Sequence, residues 1–366
     1  MSTVSPTSTF EVRRTDHPVP DDERASLLAA PQFGTVFTDH MVRMAWTPPD
    51  GWHDRRVEPY GPLSLDPACA VLHYAQEVFE GLKAYAHADG SVWTFRPAAN
   101  AARFARSARR LALPELSEAD FVESLRALVD VDRAWVPRGE EMSLYLRPFM
   151  YASENFLGVR ASHEVEYLVI ASPVGAYFTG GVKPVSIWVD RQYHRAGPGG
   201  TGAAKCGGNY AASLLPQTAA YDRGCDQVCF LDARTETYLE ELGGMNIVVV
   251  GADGTVRTPE VSGSILEGVT RSSILTLLAD AGHEVHEEPV ALADLLAGVA
   301  SGDVAEVFAC GTAAVMTPIG RLVGDDFDVT VADGGAGPVT MSTRAELTDI
   351  QYGRRPDRHG WLHRLV

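Results

Sequence analysis

Residues 197–209 read G-P-G-G-T-G-A-A-K-C-G-G-N and constrain the chain more than any other stretch. Two glycine clusters flank Lys205, and Tyr210 follows. Glycine frees the backbone and lets a ligand or another segment approach closely. Only three lysines, Lys83, Lys183 and Lys205, stand among the 31 basic residues, so arginine carries nearly all the positive charge. The difference is chemical: a guanidinium stays protonated, whereas a desolvated lysine can lose its proton and act as nucleophile or base. Lys205 is therefore a candidate for chemistry, while Lys83 and Lys183 read as surface lysines without a role. A phosphate loop of the form G-x-x-x-x-G-K-[ST] fails here. Gly197 and Gly202 have its spacing, but Ala203 stands at the lysine position and Cys206 follows Lys205.

The remaining composition narrows the setting. A length of 366 residues suits two domains or one large one, and 45% hydrophobic residues supply an ample core. A formal net charge of -17 argues against nucleic acid as the main ligand. Cys225 and Cys229 are spaced C-x3-C with no nearby histidine, so the five cysteines read as reduced, buried thiols and no metal site is expected. The first twenty residues lack an apolar core, and no apolar run has the length of a membrane span. A cytoplasmic protein is expected.

Residues 1–34 are polar and proline-dotted and read as a surface arm. Strands are predicted over 35–46, 91–96, 143–152, 165–172, 184–190, 226–231, 246–250 and 304–309. Asp89-Gly90 and Asp253-Gly254 carry hairpin signals. Helices are predicted over 97–111, 117–131, 208–222, 268–281 and 341–352. The segment between the strands at 226–231 and 246–250 reads as a turn rich in Glu and Gly. The expected organisation is a smaller N-terminal domain over 1–174, a linker over 175–183 and a larger domain over 184–366.

Four stretches could share one task. Glu240 and Glu241 crowd against Gly243-Gly244 just before an apolar strand. Gly268-Val269-Thr270-Arg271 opens a helix whose first N–H groups suit an anion. Gly311-Thr312 follows an apolar strand and could offer a hydroxyl and backbone donors. Arg103 shares its helix with Arg106, Arg109 and Arg110, and spacing alone does not choose among them. An amine, a carboxylate for a ring nitrogen, and a helix start with Arg and Thr for a phosphate make up the parts that pyridoxal phosphate needs.

The motifs K-C-G-G-N-Y (205–210), E-L-G-G-M-N (241–246), G-V-T-R (268–271) and C-G-T-A-A (310–314) resemble those of the branched-chain amino acid aminotransferases. Further matches are H-Y-A-Q-E-V-F-E-G-L-K-A-Y (73–85), S-L-Y-L-R-P (143–148) and P-V-G-A-Y-F (173–178). The resemblance runs from about residue 32 to Tyr352, and its wording is most similar to actinobacterial members. It implies a class IV pyridoxal-phosphate enzyme with an α+β, two-domain fold of type IV, like that of D-amino acid aminotransferase. The cofactor would lie where the domains meet, in a cytoplasmic homodimer.

The resemblance also implies roles. Lys205 would carry the cofactor as a Schiff base and later move the substrate's alpha proton. Tyr210 would bond the cofactor's phenolic oxygen, and Glu241, rather than Glu240, its ring nitrogen. Arg103, the backbone of Val269 and Thr270, and Thr312 would hold the phosphate. Tyr74, Phe79, Tyr145 and Tyr177 would wall the side-chain pocket, with Arg147 receiving the distal carboxylate of glutamate. The turn Gly311, Thr312, Ala313 and Ala314 would hold the substrate's alpha-carboxylate. The implied reaction exchanges an amino group between L-leucine, L-isoleucine or L-valine and 2-oxoglutarate. Gly244 stands where some members carry threonine, which removes a hydroxyl from the substrate site. Ala314 and Thr317 stand where some eukaryotic members carry C-x-x-C, so no redox switch is expected there. Arg147 and the long first half argue against a D-amino acid aminotransferase or an aminodeoxychorismate lyase. Lys205, Tyr210 and Glu241 together argue against a non-catalytic cofactor carrier. The glycines before Lys205 read as a mobile segment beside the substrate entrance.

Overall fold

The computed structural model describes residues 9–176 and 181–366. The chain divides into two compact units, Met1–Ala176 with Gln351–Val366, and Tyr177–Ile350. Each mixes helices with one sheet, the α+β class expected.

The first unit's sheet holds β1 (Glu11–Val12), β2 (His40–Thr47), β3 (Gly51–Pro59), β4 (Glu77–Phe79), β5 (Leu82–Ala86), β6 (Val92–Phe95), β7 (Ser143–Ala152) and β8 (Val165–Val174), with the late strand β18 (Leu362–Arg364). The order is β1-β3-β2-β8-β7-β5-β6-β18, with β4 on β7. Every pairing is antiparallel except β1 on β3. The hairpin signal at Asp89-Gly90 joins β5 to β6, with Gly90 at φ +85°. Because β18 pairs with β6, the segment from Gln351 onward belongs to the first unit. This corrects the expectation of a second domain running to residue 366. Apolar periodicity marks a strand but not its distant edge partner.

Four helices accompany this sheet: α1 (Asp21–Ala29), α2 (Ala70–Tyr74), α3 (Pro97–Arg110) and α4 (Glu118–Val131). Helix α1 lies inside the stretch expected as an arm and opens on Asp21, Asp22 and Glu23, three acids that favour a helix N-terminus. Proline at the first turn starts α3, and Ser117 caps α4 by accepting from Asp120 N at 3.0 Å. Asn100, Arg103, Phe104, Ser107 and Ala108 form the buried stripe of α3 at helical spacing, whereas Arg106, Arg109 and Arg110 are exposed. Phe104 packs on Phe121 of α4 and on Tyr167 of β8, with ring centroids 5.6 and 5.7 Å apart. That packing fixes the face on which Arg103 sits.

The second unit's sheet holds β9 (Val185–Asp190), β10 (Gln227–Leu231), β11 (Leu239–Leu242), β12 (Asn246–Gly251), β13 (Val256–Thr258), β14 (Val285–Glu287), β15 (Val304–Gly311), β16 (Val315–Val323) and β17 (Asp328–Thr330). Its helices are α5 (Gly207–Asp222), α6 (Val269–Asp280), α7 (Leu292–Ser301) and α8 (Pro338–Gln351). The order is β11-β10-β9-β16-β15-β12-β13-β14. A further pairing of β11 with β12, Glu241 opposite Asn246, closes the first six of these into a ring. Ile187, Cys229, Leu231, Leu239, Ile247, Val307, Ala309 and Ile319 belong to its apolar core. The Glu- and Gly-rich segment expected as a turn thus contains strand β11. Leu239 and Leu242 are buried there, and both glutamates find internal partners instead of water.

Candidate active site

Lys205 lies just before α5 and is half-buried. Its Nζ donates to the Tyr210 hydroxyl at 2.6 Å, and the ammonium lies 5.1 Å from that ring's centroid. Tyr210 stands in the first turn of α5, so the helix start sets the pair's geometry. Asn209 anchors the loop behind it: its Nδ2 donates to the carbonyls of Thr201 and Ala204, and its Oδ1 accepts from the Thr201 hydroxyl. Ala203 N donates to Gly263 O. A Cβ on Gly202 would stand 2.1 Å from Ser264 O, so glycine is required where these two segments meet. The segment expected to be mobile is therefore stitched down over Thr201–Ala204.

Glu240 and Glu241 are neighbours on β11 and so leave opposite faces. The Ser264 hydroxyl donates to Glu240. Glu241 Oε1 accepts from Leu266 N at 2.7 Å and lies 2.6 Å from Arg195 Nη2, with both side chains 3% exposed. Burial pushes the Glu241 carboxyl up to about 7, against the pull of Arg195 and Lys205 in the other direction.

Helix α6 begins at Val269, with Gly268 as its cap residue and no side-chain cap hydrogen bond. A Cβ on Gly268 would meet Asn246 Oδ1 at 2.1 Å, and Asn246 Nδ2 donates to Leu266 O at 3.0 Å. Val269 and Thr270 are buried at this helix start. The turn Thr312–Ala314 joins β15 to β16 and is flanked by the Gly311–Val315 pair. A Cβ on Gly311 would touch Met245 Cγ at 3.2 Å, and one on Gly244 would touch Tyr210 Cε1 at 3.6 Å. Lys205, Tyr210, Glu241, Gly244, the α6 start and the Gly311 turn are thereby linked within the second unit.

The first unit gathers another set. Arg147 and Tyr145, two residues apart on β7, share a face, and Arg147 Nη2 donates to the Tyr145 hydroxyl at 2.9 Å. The guanidinium lies 4.8 Å from the Phe79 ring centroid and 5.3 Å from that of Tyr145, within cation–π range. A Cβ on Gly81 would overlap the Tyr145 hydroxyl at 2.0 Å. Tyr74 ends α2, with its hydroxyl donating to Leu157 O. Arg103 is buried, and its Nε and Nη2 donate to the two Glu80 oxygens at 2.7 and 2.8 Å. Tyr177 lies outside the described residues. Lys83, expected at the surface, is buried in β5, whereas Lys183 is exposed.

Two residues escape the sequence reading. Glu80 accepts from Arg103, Asn100 and Gly81 and is wholly buried; its signal was its place in E-V-F-E-G. Arg195 had no such signal, because its partner lies on a strand far along the chain. The helical stripe of α3 does single out Arg103, the one arginine of that helix on the buried face. The second-unit set fits pyridoxal phosphate by its donor chemistry. It combines an amine bonded to a phenol, a buried carboxylate paired with Arg195, and a helix start without a side-chain cap in a cradle that a Cβ would fill.

Residues 77–322 match the amino-transferase class IV family. The chain is 56% identical to the branched-chain-amino-acid aminotransferase of Mycolicibacterium smegmatis, over 97% of this chain and 98% of that one. It is 55% identical to a probable branched-chain-amino-acid aminotransferase of Streptomyces coelicolor, over 98% and 99%. Its structure superposes with TM-score 0.73 on the branched-chain amino acid aminotransferase of Escherichia coli, at 28% identity over 85% of this chain and 97% of that one. Motifs, fold and relatives agree: the chain belongs to the class IV aminotransferases, in the branch of the branched-chain amino acid enzymes.

Proposed function

We propose that this protein reversibly transfers the amino group between L-leucine, L-isoleucine or L-valine and 2-oxoglutarate, with pyridoxal phosphate held through Lys205. The observation that carries the reading is the Lys205–Tyr210 hydrogen bond at 2.6 Å, in the same unit as the buried Glu241. Pyridoxal phosphate supplies, when bound, an aldehyde that condenses with amines and a ring that takes up the electron pair left at the alpha carbon. Lys205 is the amine for that aldehyde and, once released, the base that moves the alpha proton. Tyr210 orients the Lys205 nitrogen and offers its hydroxyl to the phenolic oxygen. Glu241 holds the proton on the ring nitrogen, which makes the ring a better electron acceptor. The N–H groups of Val269 and Thr270, the Thr312 hydroxyl and Arg103 serve the phosphate.

Specificity follows from two chemistries in one pocket. Phe79, Tyr145, Tyr74 and Tyr177 offer aromatic walls to a branched side chain. Arg147, already bonded to the Tyr145 hydroxyl, can receive the second carboxylate of glutamate. The backbone at Gly311, Ala313 and Ala314 receives the alpha-carboxylate. Residues 175–183 serve as the linker between domains, and the working form is a cytoplasmic homodimer. Among the described residues no helix is long and apolar enough to cross a membrane.

Lys205→Ala tests the reading. Transamination of L-leucine with 2-oxoglutarate should fall by at least about a thousandfold, since nucleophile and base are lost together. A variant that turns over at the wild-type rate would refute the mechanism.

A further inference from the structure

Arg195 lies between β9 and the glycine-rich loop, and its side chain is 3% exposed. Its Nη2 stands 2.6 Å from Glu241 Oε1, 2.7 Å from Gly202 O and 2.6 Å from Ser264 O. One guanidinium thus touches the carboxylate, the loop that leads to Lys205 and the segment that leads to α6. Among the described residues, the charged and titratable groups that act on or feel Glu241 include Arg195, Lys205, Glu240 and the buried thiols of Cys229 and Cys310. Glu240 is a like charge, and the thiols stay neutral, both pushed up to about 12 by burial. Lys205 gives up its charge whenever it acts as nucleophile or base. Arg195 is the cation that keeps its proton throughout. A buried carboxylate without such a partner takes up a proton and can no longer hold one on a ring nitrogen.

We propose that Arg195 is a positioning residue for the reaction: it keeps the Glu241 carboxylate ionised and in place for the cofactor's ring nitrogen, and couples it to the Lys205 loop and the α6 start. The inference rests on the reading of Glu241 given above. Removing the cation raises the carboxyl further, so the ionised form appears only at higher pH.

A double-mutant cycle of R195Q, E241Q and the pair separates the two ideas. Apoprotein of each is titrated with pyridoxal phosphate and followed by tryptophan fluorescence. The pH profile of kcat/KM with L-leucine is recorded for wild type, R195Q and R195K. R195Q and E241Q should each weaken cofactor binding about tenfold or more, and R195Q should change it less than about twofold in the E241Q background. The acid limb of R195Q should move up by about one pH unit or more, while R195K, which keeps the charge, stays within about half a unit of wild type. R195K should also keep cofactor affinity within about threefold of wild type, because it keeps the charge beside Glu241. If R195Q does not fold, R195K carries the test: an acid limb displaced by about one pH unit or more although the charge is kept would refute the proposal. Losses that multiply in the double variant, or an acid limb that does not move in R195Q, would mark Arg195 as structural only. Wild-type cofactor affinity in E241Q would instead overturn the reading of Glu241.

Discussion

Glu80 and Arg103 meet in the interior of the first unit, the carboxylate 0% and the guanidinium 5% exposed. Paired this way, with Asn100 and Gly81 as further donors, the charges are tolerable; separated, they are not. Glu80→Ala should therefore destabilise the protein by about 3–5 kcal/mol, because it removes the carboxylate that faces a buried guanidinium. Urea unfolding of the variant checks this, and a loss below about 1 kcal/mol would mean that water or another side chain replaces the carboxylate. Lys205, Tyr210 and Glu241 each sit in a short motif that drew attention in the sequence, and all three lie in the second unit, with Lys205 bonded to Tyr210. Arg195 carried no such signal, because a partner charge is visible only once folding brings distant residues together. Lys83 was misread for the same reason: its strand, β5, is buried, and lysine content alone says nothing of burial.

At the scale of elements, several long segments were legible, but α7 (Leu292–Ser301), β3 (Gly51–Pro59) and β16 (Val315–Val323) were not. The strand predicted over 143–152 is β7 at Ser143–Ala152, and the helix predicted over 208–222 is α5 at Gly207–Asp222. Among short strands, β6 and β10 were legible and β11 was not. Strand β11 has four residues, two of them glutamates, and owes its form to pairing with β10 and β12 rather than to propensity. Yet β11 places Glu241, and its pairing with Asn246 brings that asparagine to the start of α6. Gly268 is the tightest point of this arrangement. Gly268→Ala should push Asn246 and the first turn of α6 apart and weaken pyridoxal-phosphate affinity about tenfold or more. Titration of the apoprotein measures it, and an unchanged affinity would show that the α6 start does not hold the phosphate.

Over the whole molecule, each unit carries its own nine-stranded sheet and its own part of the candidate machinery. The two-part organisation was legible from the reset in pattern near residue 175. The return of Gln351–Val366 to the first unit was not, since a three-residue edge strand leaves no periodicity to read. The first unit holds Phe79, Tyr145, Arg103 and Arg147, and the second holds Lys205, Glu241 and the start of α6. The central claim is that Lys205 holds pyridoxal phosphate for branched-chain L-amino acids. It is tested most directly by recording the visible spectrum of the purified holoprotein while L-leucine and, separately, D-alanine are added. L-Leucine should remove the cofactor's visible band and D-alanine should leave it; loss with D-alanine but not with L-leucine would overturn the assignment.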